Sequence, residues 1–452
     1  MHPHPFPAWV HGLILILLVS SAAEAQLGRR FASEKKTIKD PATGVPLTFL
    51  TSSQDGERKI YPTHPQWTAD GQWIVFFSER APQQVLAVNE KSGVMVQVTE
   101  TGHQGALWVG QKSMRLFLTR RAPGATNSPG DGDARPRSRR FRGPVQMVAI
   151  DLAGVFADSA RGRMKPAAAY EQVFGLIPQE MAGGELAIDA SEQFAYFRMT
   201  ADAAARLLPE GTQVEPNFGP RSMGEGPSGI AKMNLTTGEV APVIAVPFQV
   251  GHIQSNPWRS NEIVFCWETG GKSPQRTWTV NADGSGLRPV FPESEFDWVT
   301  HEAVIGPDEV ALAILGHRNP GVDDGWGKAG TRVRPTGLGI VNLRTRKMLI
   351  VGQTRSGSGL WHVHGSPDGR WAVGDDFDRN LWLIDRRTSE MMRLTAGHKT
   401  TADDHPHPTF HPDGTRIQFQ SAMLSTDGHS MDICVVAVPR AWLKRQPRLH
   451  DH

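Results

Sequence analysis

A repeated unit of strand, tight turn and strand constrains the fold more than any other feature of the sequence. The unit is clearest in three segments: HPQWTADGQWIVFFSER (64–80), HGSPDGRWAVGDDFDRNLWLIDRRTSE (364–390) and HPTFHPDGTRIQFQSA (407–422). In each segment an Asp-Gly pair precedes alternating apolar residues, which is the pattern of a hairpin whose turn requires a positive φ. Repetition of such units predicts a β-propeller, in which each unit contributes to one blade.

The number of units predicts the number of blades. Weaker copies occupy 186–200 and 256–269, and unit starts near residues 62, 104, 185, 252, 300, 360 and 405 give about seven units. We therefore predict an all-β, single-domain, seven-bladed propeller, with six or eight blades as alternatives. The last unit lacks one strand, and the segment VPLTFLT (45–51) is predicted to pair there and close the ring, which removes an exposed strand edge.

Composition supports short strands and gives no sign of a nucleic-acid partner. Among 452 residues the chain has 46 Gly, 33 Pro and 13 Trp, a usage that favours many strands joined by turns over long helices. The formal net charge is only +2, so no global electrostatic field points to a polyanion such as DNA. Function must therefore depend on a local site.

Both ends of the chain and one internal segment are predicted to lie outside the blades. An apolar run at 10–19 followed by an A-x-A site ending at Ala25 is typical of a cleaved signal peptide, with an uncleaved anchor as the alternative. The protein is therefore predicted to be periplasmic or secreted, and no stable membrane insertion is expected after cleavage. The predicted segments are a signal peptide (1–25), a propeller (26–442) with a flexible Arg-, Gly- and Pro-rich insertion (121–144), and a C-terminal tail (443–452).

The two cysteines are predicted to be buried and unpaired. Cys266 and Cys434 each stand within an apolar, strand-like run, EIVFCWE and DICVVAV. Buried free cysteines behave as small hydrophobic residues. The unit count places the two residues on different blades, so we predict no disulfide, although an oxidising compartment would permit one.

Histidines gather where the repeated units begin, most densely in ADDHPHPTFHP (402–412). Residues two apart in an extended segment project to the same side, so His405 and His407 can direct both imidazoles at one ion. His301, at the start of another unit, is a third candidate because the first strands of propeller blades meet around the central channel. Nitrogen ligands without a thiolate favour Mn, Fe, Ni or Zn. The alternative is that these histidines, like His64 at an equivalent position, only cap strands.

Several segments of the second half resemble the oligogalacturonate lyases, polysaccharide lyase family 22. They are GHIQSNPW (251–258), FCWETGG followed by RTWTVNADGSG (265–286), VTHE (299–302) and HPHPTFHPDG (405–414). The resemblance covers roughly 250–440, and the first half matches the family only as propeller repeats. It implies a seven-bladed propeller that cleaves the acidic oligosaccharide oligogalacturonate by β-elimination, with a divalent metal, usually Mn²⁺.

The resemblance also implies a ligand set for the metal. The histidine of VTHE and both histidines of HPHP correspond to family ligands. The implied metal residues are therefore His301, His405 and His407. The family carries a glutamine three residues before the HPHP pair, where this chain has Ala402. Asp404, or its neighbour Asp403, is predicted to replace that glutamine.

The resemblance further implies how the reaction would be catalysed. The family base corresponds to His252, and the family arginine near the reacting sugar is assigned to Arg276, with Arg221 and Lys232 as competitors. Uronate elimination removes the proton at C5, beside a carboxylate, and expels the 4-linked oxygen, which leaves a C4=C5 double bond. A neutral imidazole can take that proton while a metal and a guanidinium neutralise the carboxylate. Three further residues are predicted to contact the substrate: Arg221, Gln254 and His362.

Other functions remain open at this point. A non-catalytic periplasmic scaffold resembling TolB, whose repeats carry similar PDG turns, would have no need of a central histidine cluster. A lyase that acts on another uronate polymer would use similar histidine bases. A hydrolytic propeller is disfavoured, because the sequence has neither a G-x-S-x-G nucleophile elbow nor a paired-carboxylate signature. The oligomeric state and the choice between exo and endo cleavage are left undecided.

Overall fold

The computed structural model describes residues 26–80, 84–100, 102–122, 144–217, 219, 223–295, 297–316, 336–354 and 359–445. Within these ranges the strands form seven separate antiparallel sheets of four or five strands, which surround a ring as the blades of a propeller. The predicted all-β, seven-bladed fold is confirmed. The predicted unit starts coincide closely with the first strands of the blades.

The first three blades follow a short N-terminal group of strands. That group contains β1 (Arg30–Phe31), β2 (Lys36–Lys39) and β3 (Pro46–Phe49). Blade 1 contains β4 (Glu57–Lys59), β5 (Trp73–Ser78), β6 (Gln84–Asn89) and β7 (Met95–Gln97), with β1 added at its outer edge. Blade 2 contains β8 (Gln104–Val109), β9 (Arg115–Arg121), β10 (Val145–Asp151) and β11 (Glu171–Ile177). Blade 3 contains β12 (Ala187–Ile188), β13 (Phe194–Arg198), β14 (Glu225–Asn234) and β15 (Val240–Phe248).

The remaining blades have the same construction. Blade 4 contains β16 (Val250–Ser255), β17 (Glu262–Trp267), β18 (Thr277–Asn281) and β19 (Arg288–Pro289). Blade 5 contains β20 (Trp298–Gly306), β21 (Glu309–Gly316), β22 (Thr336–Asn342) and β23 (Met348–Thr354). Blade 6 contains β24 (Val363–Gly365), β25 (Trp371–Asp375), β26 (Leu381–Asp385) and β27 (Met391–Thr395). Blade 7 contains β28 (Thr409–Phe410), β29 (Arg416–Ser421) and β30 (Asp432–Ala437), completed by β3 and β2.

The Asp-Gly turns join the innermost strands to their neighbours as the sequence predicts. Gly71, Gly369 and Gly414 have φ values of +67°, +70° and +71°. The aspartate before each glycine has a different role, because its carboxylate accepts a hydrogen bond from the backbone of the turn. Asp70 Oδ1, for example, accepts the backbone N–H of Gln72 at 3.0 Å. Each turn therefore needs the glycine for its backbone conformation and the aspartate for its hydrogen bond.

The predicted closure of the ring by the N-terminal segment is confirmed. Strand β3 pairs antiparallel with β30 of blade 7, in a register that sets Leu47 opposite Val436 and Phe49 opposite Cys434. Leu47 and Phe49 are fully buried, in a cluster that also contains Trp371 of blade 6. A strand from the start of the chain thus completes the last blade, so the closed ring leaves no unpaired edge at that position.

A pair of buried carboxyl groups lies near the junction of the first and last blades. Glu57 begins β4 and Asp432 begins β30, and the backbone N–H of Glu57 donates to the carbonyl of Met431 at 2.7 Å. Burial raises the pKa of Asp432 to about 8, with a further increase from the charge of Glu57. Burial likewise raises the pKa of Glu57 to about 7, although Arg80 opposes it.

The free energy of unfolding should therefore fall as the pH rises from about 4 to about 8. The carboxyl group of the unfolded chain ionises above about pH 4, whereas Asp432 in the folded state keeps its proton until about pH 8, so a rising pH between these values favours the unfolded state. We expect Asp432→Asn to flatten this dependence and to stabilise the protein by a few kcal/mol at pH 8. Urea unfolding at several pH values measures it, and parallel curves for the two proteins would contradict the prediction.

The remaining sequence predictions have mixed outcomes. Both cysteines are free and buried, as predicted. The predicted signal peptide (1–25) and most of the predicted insertion (121–144) lie outside the described residues. The described helices are α1 (Leu152–Arg161), α2 (Ala201–Ala205) and α3 (Arg440–Leu443). None of these described helices is both long enough and apolar enough to cross a membrane.

Candidate active site

Three of the predicted histidines share an unusual backbone conformation. His252 on β16, His301 on β20 and His407 just before β28 have φ values of 48°, 50° and 54°. At His252 and His301 the strand pairing shifts register, as in a β-bulge. A positive φ costs a non-glycine residue about 1–3 kcal/mol of backbone strain, and such strain concentrates at functional sites. A histidine with a positive φ therefore lies in the innermost part of each of blades 4, 5 and 7.

The structure brings all the predicted histidines into one group. The ring of His362, just before β24, has its centroid 4.3 Å from that of His301, 5.4 Å from His405 and 3.9 Å from His407. The ring of His252 lies 6.3 Å from His301. The expectation that widely separated blade starts meet at the channel therefore holds for all five residues.

A buried carboxylate at the end of β25 organises one side of this group. Asp375 Oδ1 accepts the backbone N–H of His362 at 2.6 Å, and Oδ2 accepts the backbone N–H of His407 at 3.3 Å. Asp375 Oδ2 also lies 3.3 Å from Nδ1 of His362 and 3.5 Å from Nδ1 of His405. Burial raises the pKa of Asp375, but the two imidazoles outweigh burial and hold that pKa well below its usual range.

A second buried carboxylate holds His252. Nδ1 of His252 lies 2.9 Å from Oε1 of Glu302, and Nε2 lies 3.4 Å from Oε2 of Glu268. Burial lowers the pKa of His252, but Glu302 and Glu268 outweigh it, so the net direction is upward. Burial raises the pKa of Glu302, yet the charges of Arg276 and His252 bring it down to about 2. Glu302 is therefore a permanent anion that fixes the imidazole of His252.

Arg276 completes this network from a buried position. Its Nε donates to Oε2 of Glu302 at 3.0 Å and its Nη2 donates to Oε2 of Glu268 at 3.3 Å. Nη2 also lies 3.4 Å from Nδ1 of His252. The guanidinium predicted to neutralise the substrate is thus engaged by two carboxylates behind the base.

The other predicted residues have different positions. Gln254 is fully buried, and its amide bridges blades 4 and 5 by donating to the carbonyl of Glu302 and accepting from the N–H of Val304. Both ends of the amide are occupied, so a substrate contact does not follow from its position. Nζ of Lys232 donates to the carbonyl of Ala282 at 2.8 Å. Arg221 lies outside the described residues.

The strand-capping alternative describes His64 correctly. Its Nε2 lies 2.7 Å from the carbonyl oxygen of Leu186, and its Nδ1 lies 2.6 Å from the hydroxyl of Thr63. Burial lowers the pKa of His64, so it remains a neutral hydrogen-bonding group. His64 therefore links blade 1 to blade 3 and stands apart from the group of five.

Blade 1 also contributes residues that the sequence did not single out. The ring of Tyr61 lies 5.1 Å from that of His252 and 5.3 Å from that of His407. Lys59 is buried, and its Nζ donates to the carbonyl of Ile60 and to the hydroxyl of Thr409. Their positions could not be read from spacing, since neither residue belongs to a histidine-rich segment.

The chemistry of the donor groups fits a divalent metal. Among the described residues, Nδ1 of His301 is buried without a hydrogen-bond partner, and Nδ1 of His405 forms no hydrogen bond although Oδ2 of Asp375 lies 3.5 Å away. Unpartnered buried polar atoms are costly, and an ion would satisfy them. His362, Asp375 and His405 offer donor atoms that all lie within 4.8 Å of one another. Asp404, the predicted replacement for the family glutamine, has Oδ1 3.4 Å from Nε2 of His407.

Comparison with known proteins supports the resemblance. No protein-family model matches the chain. Over 217 residues it is 24% identical to an oligogalacturonide lyase of Pectobacterium atrosepticum and to an oligogalacturonate lyase of Dickeya dadantii. These matches cover 42% of this chain and 52% of each relative, so the similarity spans about half the length of the curated relatives.

Solved structures extend the similarity to nearly the whole chain. An oligogalacturonate lyase in complex with manganese superimposes with a TM-score of 0.67 at 18% identity, over 92% of this chain and all of the other. An oligogalacturonate lyase from Vibrio parahaemolyticus superimposes with a TM-score of 0.68 at 18% identity and the same coverage. The chain is therefore similar to oligogalacturonate lyases in sequence over 42% of its length and in fold over 92% of it.

Proposed function

We propose that this protein is a metal-dependent lyase that cleaves oligogalacturonate by β-elimination. The observation that carries the proposal is a histidine fixed by a buried carboxylate beside a cluster of imidazoles with unpartnered nitrogens. A base and a cation site next to each other are what uronate elimination needs. A structural scaffold would gain nothing from unpartnered buried nitrogens, which cost stability.

His252 acts as the base in this proposal. Because Nδ1 donates to the anionic Glu302, the lone pair of the neutral ring lies on Nε2, which is left to take the C5 proton of the uronate. The ring is partly exposed, so a sugar in the channel can reach it. The upward pKa shift makes His252 a stronger base than a free imidazole.

Arg276 has a positioning role in the proposal. Its buried guanidinium holds Glu302 in the charged form and fixes its orientation, so Glu302 in turn keeps His252 in the tautomer that the reaction needs. This arrangement is analogous to a histidine base oriented by a carboxylate in other enzymes. The uronate carboxylate would then be neutralised mainly by the metal.

The proposed metal residues are His301, His405 and His407, with Asp404 beside them. When bound, a divalent ion neutralises the carboxylate of the uronate and so acidifies the adjacent C5 proton. Mn²⁺ is the proposed ion, because one structural homologue is an oligogalacturonate lyase in complex with manganese. We also propose export to the periplasm or beyond, directed by the segment at 1–25.

A panel of uronate oligomers tests the substrate class. With Mn²⁺ present, galacturonate oligomers are expected to give a rise in ultraviolet absorbance from the unsaturated product, because His252 and the metal act on the C5 proton of the uronate. Glucuronate-containing and neutral oligomers serve as controls and should give smaller rates or none. Turnover of a glucuronate polymer alone would mean that the protein is a lyase for another uronate. The absence of turnover on every oligomer would favour a non-catalytic scaffold.

A further inference from the structure

We propose that His362 is a metal ligand and that it completes a site of four imidazoles with His301, His405 and His407. This inference rests on the metal dependence of the proposed function and assigns a further ligand to the same site. His362 was expected to contact the substrate, whereas its position in the histidine group favours the metal.

The first observation is that His362 occupies the middle of the group. Its ring centroid lies 3.9 Å from that of His407 and 4.3 Å from that of His301. The ring of His405 is only slightly farther away, at 5.4 Å. An ion bound by the other three histidines would therefore lie next to His362.

The second observation is that Asp375 orients the ring of His362. Nδ1 of His362 lies 3.3 Å from Asp375 Oδ2, and the backbone N–H of the same residue donates to Oδ1 at 2.6 Å. A carboxylate that accepts Nδ1–H leaves the lone pair on Nε2. Metal-binding histidines commonly have this second contact, which fixes the tautomer and the direction of the ring. Asp375 is fully buried, so the arrangement is held within the protein.

The third observation concerns Asp404, the rival for the fourth position. Its side chain is 46% exposed, whereas that of His362 is 5% exposed. Oδ1 of Asp404 already accepts the backbone N–H of His405 at 2.8 Å. Asp404 is therefore less fixed toward the histidine group than His362, whose ring is buried and oriented by Asp375. The small side chain of Ala402 offers no ligand atom at all.

Calorimetric titration of metal-free protein with Mn²⁺ alone tests the inference without substrate. His362→Ala is expected to weaken Mn²⁺ binding by about 10-fold or more, since even second contacts of metal ligands contribute 10- to 100-fold. Asp404→Asn is expected to weaken it less. His429→Ala serves as the control, because that side chain is 57% exposed and lies outside the histidine group. Unchanged affinity in His362→Ala, or a larger loss in Asp404→Asn, would overturn the inference.

X-ray absorption of the Zn²⁺-loaded wild-type protein decides the matter if His362→Ala does not fold. Scattering from four imidazoles supports the inference, and scattering from three or fewer overturns it. These measurements are independent of lyase activity. If the protein binds metal through His362 but cleaves no uronate, the metal site stands and the proposed function is wrong. If the protein is a lyase whose metal affinity does not depend on His362, the proposed function stands and His362 is not a ligand.

Discussion

Alanine in place of His252 is expected to lower the turnover of oligogalacturonate by about 100-fold or more, while the affinity for Mn²⁺ stays near the wild-type value. The substitution removes the partly exposed imidazole that Glu302 fixes and whose Nε2 is proposed to take the C5 proton. Glu302 keeps its ion pair with Arg276, so the network behind the base remains neutralised and the fold should survive. Initial rates from ultraviolet absorbance and calorimetric Mn²⁺ titration measure the two effects.

A matched variant distinguishes the role of the base, His252, from that of Glu302, which orients it. Glu302→Gln preserves the shape of the side chain but removes the anion that fixes the His252 ring, so we expect a smaller fall in kcat with KM nearly unchanged. Full turnover in His252→Ala would remove His252 from the mechanism. A parallel loss of Mn²⁺ binding in the same variant would instead place His252 among the metal ligands.

The second large effect is expected on stability, because strand β3 closes the ring. Phe49→Ala is expected to lower the free energy of unfolding by about 3–5 kcal/mol, because the side chain is fully buried between blades 6 and 7. Deletion of residues 26–55 removes β1, β2 and β3 together, so it should lower the melting temperature more than the single substitution does. Chemical unfolding and thermal melting measure these changes.

The exposed neighbour Lys39 on β2 provides the control for closure. Lys39→Ala should change stability by no more than about 0.5 kcal/mol, as is usual for surface positions. An unchanged melting temperature after deletion of 26–55 would mean that β3 adds nothing to blade 7. The pairing of β3 with β30 would then be an accessory feature of the ring.

The fold was predictable because its signals are local. Asp-Gly turns, alternating apolar residues and the spacing of the units each depend on a few neighbouring residues, and Gly71 shows that the turn conformation follows from the residue type. The number of blades followed from counting. Even the closing strand was predictable, since the last unit lacked a partner for Asp432–Ala437.

The histidines of the site were predictable only in part. His301, His405 and His407 stand out through spacing and through the resemblance, and the fold explains why they meet. The positive φ values of His301 and His407, and the bulge at His301, do not follow from residue type, because a positive φ is uncommon for any non-glycine residue. The equivalent histidine in blade 1, His64, has no such conformation and serves a structural purpose.

The supporting carboxylates could not be found from sequence alone. Asp375 ends an ordinary strand of blade 6 and contacts His362 of the same blade, whereas its contact with His407 arises only when blades 6 and 7 pack side by side. Glu302 stands within the VTHE segment, yet its two partners come from blade 4. Such contacts depend on the relative position of whole blades, which no local pattern specifies.

The most direct test is the rate at which metal-free protein forms unsaturated product from trigalacturonate, before and after Mn²⁺ is added. We expect no rise in absorbance in the presence of a chelator and recovery of the rate when Mn²⁺ is restored, because His252 needs the metal to acidify the C5 proton. Product formation at full rate in the presence of chelator would contradict metal dependence. The absence of product with Mn²⁺ present would contradict the lyase function itself.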